Sequence, residues 1–136
     1  MPRKYSGDRI DVFFEAALCI HAKECVHGLP DVFDPVKRPW IQPMNASADA
    51  LAETIHRCPT GALHYERGDG TSEAADVGDS MTLVPNGPLY VRGDVTLRLP
   101  DGTLVRHDTR IALCRCGQSK NKPYCDNSHI GSAFSG

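Results

Sequence analysis

Six cysteines in two groups of three constrain this 136-residue chain more than any other feature. Cys19, Cys25 and Cys58 make the first group, and Cys114, Cys116 and Cys125 the second. Twelve Gly and ten Pro accompany them, and so much turn chemistry in a short chain leaves little room for a large apolar core. Folding units below about 80 residues usually need disulfides, a metal or oligomerisation to be stable. Two groups of three pair badly as disulfides, since each leaves one thiol over. The stretch Met1-Pro2-Arg3-Lys4-Tyr5-Ser6-Gly7-Asp8 has no apolar run that could act as an export signal, so a reducing, cytoplasmic location is expected, where disulfides are rare. Three thiolates per group point instead to metal or iron–sulfur ligation, with a fourth ligand to be found in each.

Charge excludes other classes. Lys plus Arg is 15 and Asp plus Glu is 17, a net charge of −2, whereas a dedicated nucleic-acid or membrane-surface binder carries a basic excess. No apolar run approaches the roughly 20 residues that span a bilayer. No nucleophile–base pair, phosphate loop or nucleotide fingerprint is present, so an enzyme is not expected.

The second group reads Cys114-Arg115-Cys116-Gly117-Gln118-Ser119-Lys120-Asn121-Lys122-Pro123-Tyr124-Cys125-Asp126-Asn127-Ser128-His129. Gly117 lets the backbone turn tightly and Pro123 fixes the chain just before Cys125. Asp126 or Ser128 can cap a short helix that leaves His129 about one turn beyond Cys125. Chemistry alone allows zinc, which accepts three cysteines and a histidine, or a 2Fe–2S cluster. The stretch resembles the CDGSH iron–sulfur domain, the mitoNEET family, at Cys114, Cys116, Ser119, Pro123, Cys125, Asp126, Ser128 and His129. It departs at Asn127, where the family carries Gly; Asn is the next most tolerant of a left-handed backbone. The resemblance covers residues 81–136. It implies a 2Fe–2S cluster held by Cys114, Cys116, Cys125 and His129, with Ser119, Pro123, Asp126 and Ser128 supporting the loop. A neutral imidazole in place of a thiolate raises the expected reduction potential.

In the first group, Cys19-Ile20-His21-Ala22-Lys23-Glu24-Cys25 has the frame of a ferredoxin loop with Ala22 where the middle cysteine would stand, and Cys58-Pro59 closes it. With His27-Gly28-Leu29-Pro30-Asp31-Val32-Phe33 and Cys58-Pro59-Thr60-Gly61-Ala62-Leu63, residues 10–66 resemble a divergent single-cluster bacterial ferredoxin. Ala22 cannot ligate. Three thiolates complete a 3Fe–4S cluster, or a 4Fe–4S cluster whose fourth iron takes His21, a carboxylate or solvent.

The rest of the chain organises around these sites. Arg9–Phe14 alternates and reads as a strand, and Ala62–Glu66 is expected to pair with it. Ser47 caps a helix that carries Leu51 and Ile55 on one face and ends before Pro59, delivering Cys58. Residues 67–80 read as a loose linker. Short strands are expected at 81–84, 89–91, 95–99, 103–105 and 110–113, with a hairpin turn at Pro100-Asp101-Gly102. His27, His56, His64 and His107 read as surface or strand residues, and Trp40 as packing over the first cluster. The expectation is an α+β chain: a small ferredoxin-like domain over residues 1–70 and a small β-rich CDGSH domain over 71–136. Its expected role is non-enzymatic electron transfer, or cluster donation and redox sensing, with a structural zinc module as a further alternative. Its partners would be a redox protein or an apo iron–sulfur acceptor, and the CDGSH resemblance also implies a possible homodimer. Eight basic against ten acidic residues before position 70, and seven against seven after it, would suit transient electrostatic docking.

Overall fold

The computed structural model describes residues 2–70, 73 and 79–136. It is a small mixed α/β chain with two three-stranded antiparallel sheets and few helices. Two compact units divide it: Met1–Cys58 with Ala62–Glu73, and Pro59–Gly61 with Ala74–Gly136.

The first unit is built on β1 (Arg3–Tyr5), β2 (Ile10–Phe14) and β3 (Leu63–Arg67), in the order β1-β2-β3. β2 alternates: Ile10 and Val12 are buried, and the side chains between them are less so, the period-2 pattern of a half-buried strand. It pairs antiparallel with β3 from Ile10 opposite Arg67 to Phe14 opposite Leu63. β1, for which the sequence carries no strand signal, pairs with the other edge of β2 and buries Tyr5.

The helix α2 (Ala48–His56) begins at Ser47, whose Oγ accepts the Ala50 amide at 3.1 Å. Asp49 in the first turn complements the positive end of the helix dipole. Leu51, Thr54 and Ile55 are buried on one face. Leu51 and Ile55 join Val12, Val32, Phe33, Ile41, Leu63 and Tyr65 in the core. Trp40 packs on that core edge-on to Phe14, centroids 5.0 Å apart, and beside Phe33.

The second unit is a meander of β4 (Ser80–Leu83), β5 (Leu89–Arg98) and β6 (Leu104–Leu113), in the order β4-β5-β6. Four short strands of the sequence reading merge here into two long ones. Gly93 sits at φ 133 beside a register shift between Arg92 and Val95, so what the sequence shows as a break at Gly93-Asp94 is a bulge within β5. Likewise 104–105 and 110–113 are the two ends of β6, since polar Arg106, His107 and Asp108 interrupt the apolar pattern but stay paired with β5. Pro100-Asp101-Gly102 makes the hairpin turn. The Asp101 carboxylate accepts the Thr103 amide at 2.8 Å, and hydrogen bonding to Thr103 lowers its pKa.

The stretch read as a loose linker is partly ordered: Arg67 ends β3 and pairs with Asp49 at 2.8 Å. The Glu73 carboxylate accepts the Tyr65 amide and meets His64 Nδ1 at 2.9 Å. Thr71, Ser72 and 74–78 lie outside the described residues. Of the histidines read as plain strand or surface residues, His56 meets the Tyr65 hydroxyl at 3.0 Å, and His107 pairs with Asp94.

Candidate metal centres

The second cysteine group lies where β6 ends. Cys114 follows the strand directly, and its amide donates to the Pro123 carbonyl at 2.8 Å. In return the Cys125 amide donates to Ala112 O at 2.9 Å, and Leu113 bridges Tyr124. The loop is thus pinched shut by backbone bonds at its neck, which sets Cys114 beside Cys125. Ser119, buried, stitches the interior: its hydroxyl donates to Tyr124 O at 2.6 Å and accepts the Asn121 amide at 3.0 Å.

Asp126 ties the two sides together. Oδ2 accepts the Lys120 amide and Oδ1 the Ser128 amide, at 2.8 and 3.0 Å. Hydrogen bonds from Ser128 and from the Lys120 backbone hold its pKa down to about 2. Asn127 adopts φ 71, the left-handed turn that the family's Gly would take, and opens α3 (Ser128–Gly131). It starts the helix by backbone shape, without a side-chain cap; the neighbouring carboxylate of Asp126 supplies the acceptor.

The four side chains fall into two pairs. Cys114 Sγ and Cys116 Sγ are 3.7 Å apart, and Cys125 Sγ and His129 Nδ1 are 3.7 Å apart. Two donors on one tetrahedral metal at roughly 2.0–2.3 Å are separated by about 3.5–3.8 Å, so each pair fits one metal ion. Among the described residues no three His, Cys, Asp or Glu side chains converge on a single ion. The thiols differ in their surroundings. Burial pushes Cys125 up. At Cys114 burial acts the same way but is outweighed by amides of Ser119 and Gly117 and by Cys116, so its pKa falls.

The first group is assembled by three elements. A single 3₁₀ turn, Ala16–Leu18, leads into Cys19. The loop then reverses through His21 and Lys23, both left-handed at φ 58 and 65, around exposed Ala22. The His21 amide donates to Cys19 Sγ at 3.5 Å, while the residue itself is exposed. Cys25 sits in α1 (Glu24–Gly28), a one-turn helix that the sequence reading missed because it is too short for a period to show. Cys58 follows α2, its amide bonded to Ile55 O at 3.0 Å.

Gly28 lets the two helices approach. A Cβ there would lie 3.1 Å from Thr54 Cγ2 of α2, tighter than ordinary contact. Cys25 and Cys58 both lean on the hydrophobic core. Burial, followed by the nearby Cys58 thiol, pushes Cys25 up to about 11, and burial also raises Cys19. Apolar walls suit sulfur in a neutral thiol or in a metal-bound thiolate, but not a free anion.

Comparison with known proteins finds matches over both stretches. A family model described as a divergent 4Fe–4S mono-cluster matches residues 5–68. The Escherichia coli K12 protein YjdI, itself uncharacterised, is 40% identical over 63 residues, 46% of this chain and 83% of its own length. The protein from E. coli O157:H7 aligns to the same extent. The chain belongs to the divergent 4Fe–4S mono-cluster family. A second family model, the iron-binding zinc finger of CDGSH type, matches residues 86–130. The chain therefore joins two iron–sulfur binding domains of different families. Among the described residues no helix is long and apolar enough to cross a membrane.

Proposed function

We propose that this chain is a non-enzymatic electron carrier with two iron–sulfur clusters. One is a 2Fe–2S cluster on Cys114, Cys116, Cys125 and His129. The other is a 3Fe–4S cluster on Cys19, Cys25 and Cys58, with 4Fe–4S as the alternative that the family description favours. The observation that carries the first assignment is the pairing of its ligands. One zinc ion would draw all four donors to similar mutual distances. Two pairs at 3.7 Å, with no three donors on one point, suit two bridged irons instead. In this reading Cys114, Cys116, Cys125 and His129 would together hold the two irons.

For the first site the support is the donor set and its walls. Three soft thiols stand close enough for Cys58 to raise the pKa of both others. Exposed Ala22 stands where a fourth thiolate would be expected. The order β2, α1, α2, β3, with the two strands antiparallel around the ligand-bearing helices, supports a ferredoxin-like description of this unit.

Bound clusters of these kinds supply one-electron chemistry. The chain's own part is to hold the donors, shield them and present a rim. Gly117, Gln118, Lys120 and Lys122 are exposed around the second loop, a face that a redox protein partner can reach. Iron, acid-labile sulfide and zinc per chain, assayed in protein purified without oxygen, test the reading. About five irons support 3Fe–4S plus 2Fe–2S, and about six support 4Fe–4S at the first site. Zinc without sulfide overturns the electron-carrier reading. A rapid shift of the 2Fe–2S spectrum to an apo-ferredoxin would make the chain a cluster donor instead.

A further inference from the structure

His129 is carried by a helix that nothing apolar holds down. α3 is four residues long, buries none of them and leaves Ile130 72% exposed. One turn of helix is marginal by itself. Asp126 restrains it from the N-terminal side through the Ser128 amide. What restrains it from the other side lies in residues 132–136.

Those residues return to the cluster loop. The Phe134 amide donates to the His129 carbonyl at 3.2 Å. Further on, Asn86 and Gly136 exchange two hydrogen bonds, Asn86 N to Gly136 O at 2.8 Å and Gly136 N to Asn86 Oδ1 at 3.1 Å. Arg115, between Cys114 and Cys116, reaches both partners of this closure. Its Nη1 donates to Val84 O at 2.9 Å and Gly87 O at 3.2 Å, the two ends of the turn that displays Asn86. Its guanidinium carbon lies 5.3 Å from the centre of the Phe134 ring. A planar guanidinium can donate in its plane and stack on its face at once, which an ammonium cannot reproduce.

We infer that Arg115 is a positioning residue for His129: it clasps the turn Val84–Gly87 to residues 132–136, and Phe134 passes that restraint to the His129 backbone. The inference rests on the reading of His129 as an iron ligand. Arg115 acts through its contacts with Val84, Gly87 and Phe134, and so fixes how firmly the imidazole is offered.

The test uses the full-length protein loaded with iron and sulfide, at one fixed pH. Arg115→Met keeps length and apolar contact but loses the donors, Arg115→Lys restores part of them, and Phe134→Ala removes the stacking partner. Two readouts are followed: the rate of loss of the 2Fe–2S absorbance, and the nitrogen hyperfine coupling of the histidine ligand in the reduced cluster. Arg115→Met should lose cluster at least about tenfold faster, the factor that one charge-assisted hydrogen bond is worth, with an altered coupling. Arg115→Lys should fall between, Phe134→Ala should act in the same direction, and the double variant should be no worse than Arg115→Met.

A wild-type rate and coupling in Arg115→Met would overturn the inference. So would faster loss in Arg115→Met with Phe134→Ala and the coupling both unchanged. Should Arg115→Met fail to fold, Arg115→Lys and Phe134→Ala decide by the same two readouts. If the wild-type chain holds no sulfide, the two-iron reading fails separately, and amide exchange decides the clasp. Slow exchange at Asn86 and Gly136 that is lost on Arg115→Met supports it, and fast exchange in both proteins overturns it.

Discussion

The first unit encloses eleven buried residues in one cluster, from Tyr5 and Val12 to Leu63 and Tyr65. In the second, the buried apolar residues among those described are Ile111, Ala112 and Cys125 with Pro59 and Pro88, while Met81, Leu83, Leu99, Leu104 and Val105 stand exposed. Both units are too small to be secure by core alone, yet their metal sites stand differently toward that need. Cys25 and Cys58 rest on a core that exists without them. Cys125 is itself buried beside Ile111 and Ala112, among polar buried groups such as Asp108, Arg110 and Ser119, and backbone bonds, Ser119 and Asp126 shape its loop. One unit supports its site with hydrocarbon, the other with hydrogen bonds.

The largest test of this contrast is removal of a ligand from each unit. Cys125→Ser should abolish the second cluster and, with it, the dispersed amide signals of residues 114–134. Cys58→Ser should abolish the first cluster but leave the core signals of Val12, Phe33 and Leu51 in place. Two-dimensional NMR of both variants checks this, and equal disorder in the two would break the contrast. Next come matched leucines. Leu51→Ala, at a fully buried site, should cost about 2–5 kcal/mol in urea unfolding of the first unit. Leu83→Ala, 64% exposed, should change the second by less than about 0.5 kcal/mol. A similar loss for both would show that β4 is covered.

Ser47→Ala should cost about 1 kcal/mol, because the Ala50 amide loses its acceptor. The same urea experiment measures it, and hydrogen exchange should quicken in the first turn of α2. The smallest effect is expected at the hairpin. The folded pKa of Asp101 is lowered below its ordinary 3.8 by Thr103, so its contribution is present above that pH and fades as pH falls through the lower folded value. Asp101→Asn should therefore flatten the acid limb of the second unit's stability below about pH 4, with little change near neutrality. A pH titration of hairpin amide shifts reads it directly.

How much of this was legible in the sequence follows from the range of the forces involved. α2, β2 and β3 announce themselves through local signals, such as the Ser47 cap and the alternation of Ile10 and Val12. β1 does not, because Arg3 and Lys4 gain strand geometry only by pairing with Phe14 and Phe13. The continuity of β5 and β6 was hidden for a related reason: β5 runs on through the Gly93-Asp94 bulge, and pairing with Thr96 keeps His107 in β6 where local propensity gives little strand signal. At the second site the ligand types and spacing were visible, and so was the tolerance of Asn127 for a left-handed turn. The grouping of four donors into two pairs was not visible, since it depends on the neck between Ala112 and Cys125. In the sequence Arg115 reads only as a charge on the cluster loop, with Lys120 and Lys122, suited to docking; nothing there points to a clasp. Its partners Val84 and Gly87 lie 31 and 28 residues away in the chain.

That neck, closed by the Cys114 and Cys125 amides on the Pro123 and Ala112 carbonyls, also divides the loop into regions with different freedom to evolve. Between its two sides the separation of Cys114 and Cys125 is set by backbone ladder geometry, whatever the intervening side chains are. Exposed Gln118 and Lys122 can therefore drift in identity, and with them the charge that the rim shows to a partner, whereas Gly117, left-handed at φ 76, is held by the turn. Ser119 and Asp126, whose side chains complete the ring, cannot. The loop is in that sense a fixed socket with an interchangeable collar, in which partner choice can be retuned without disturbing the ligands.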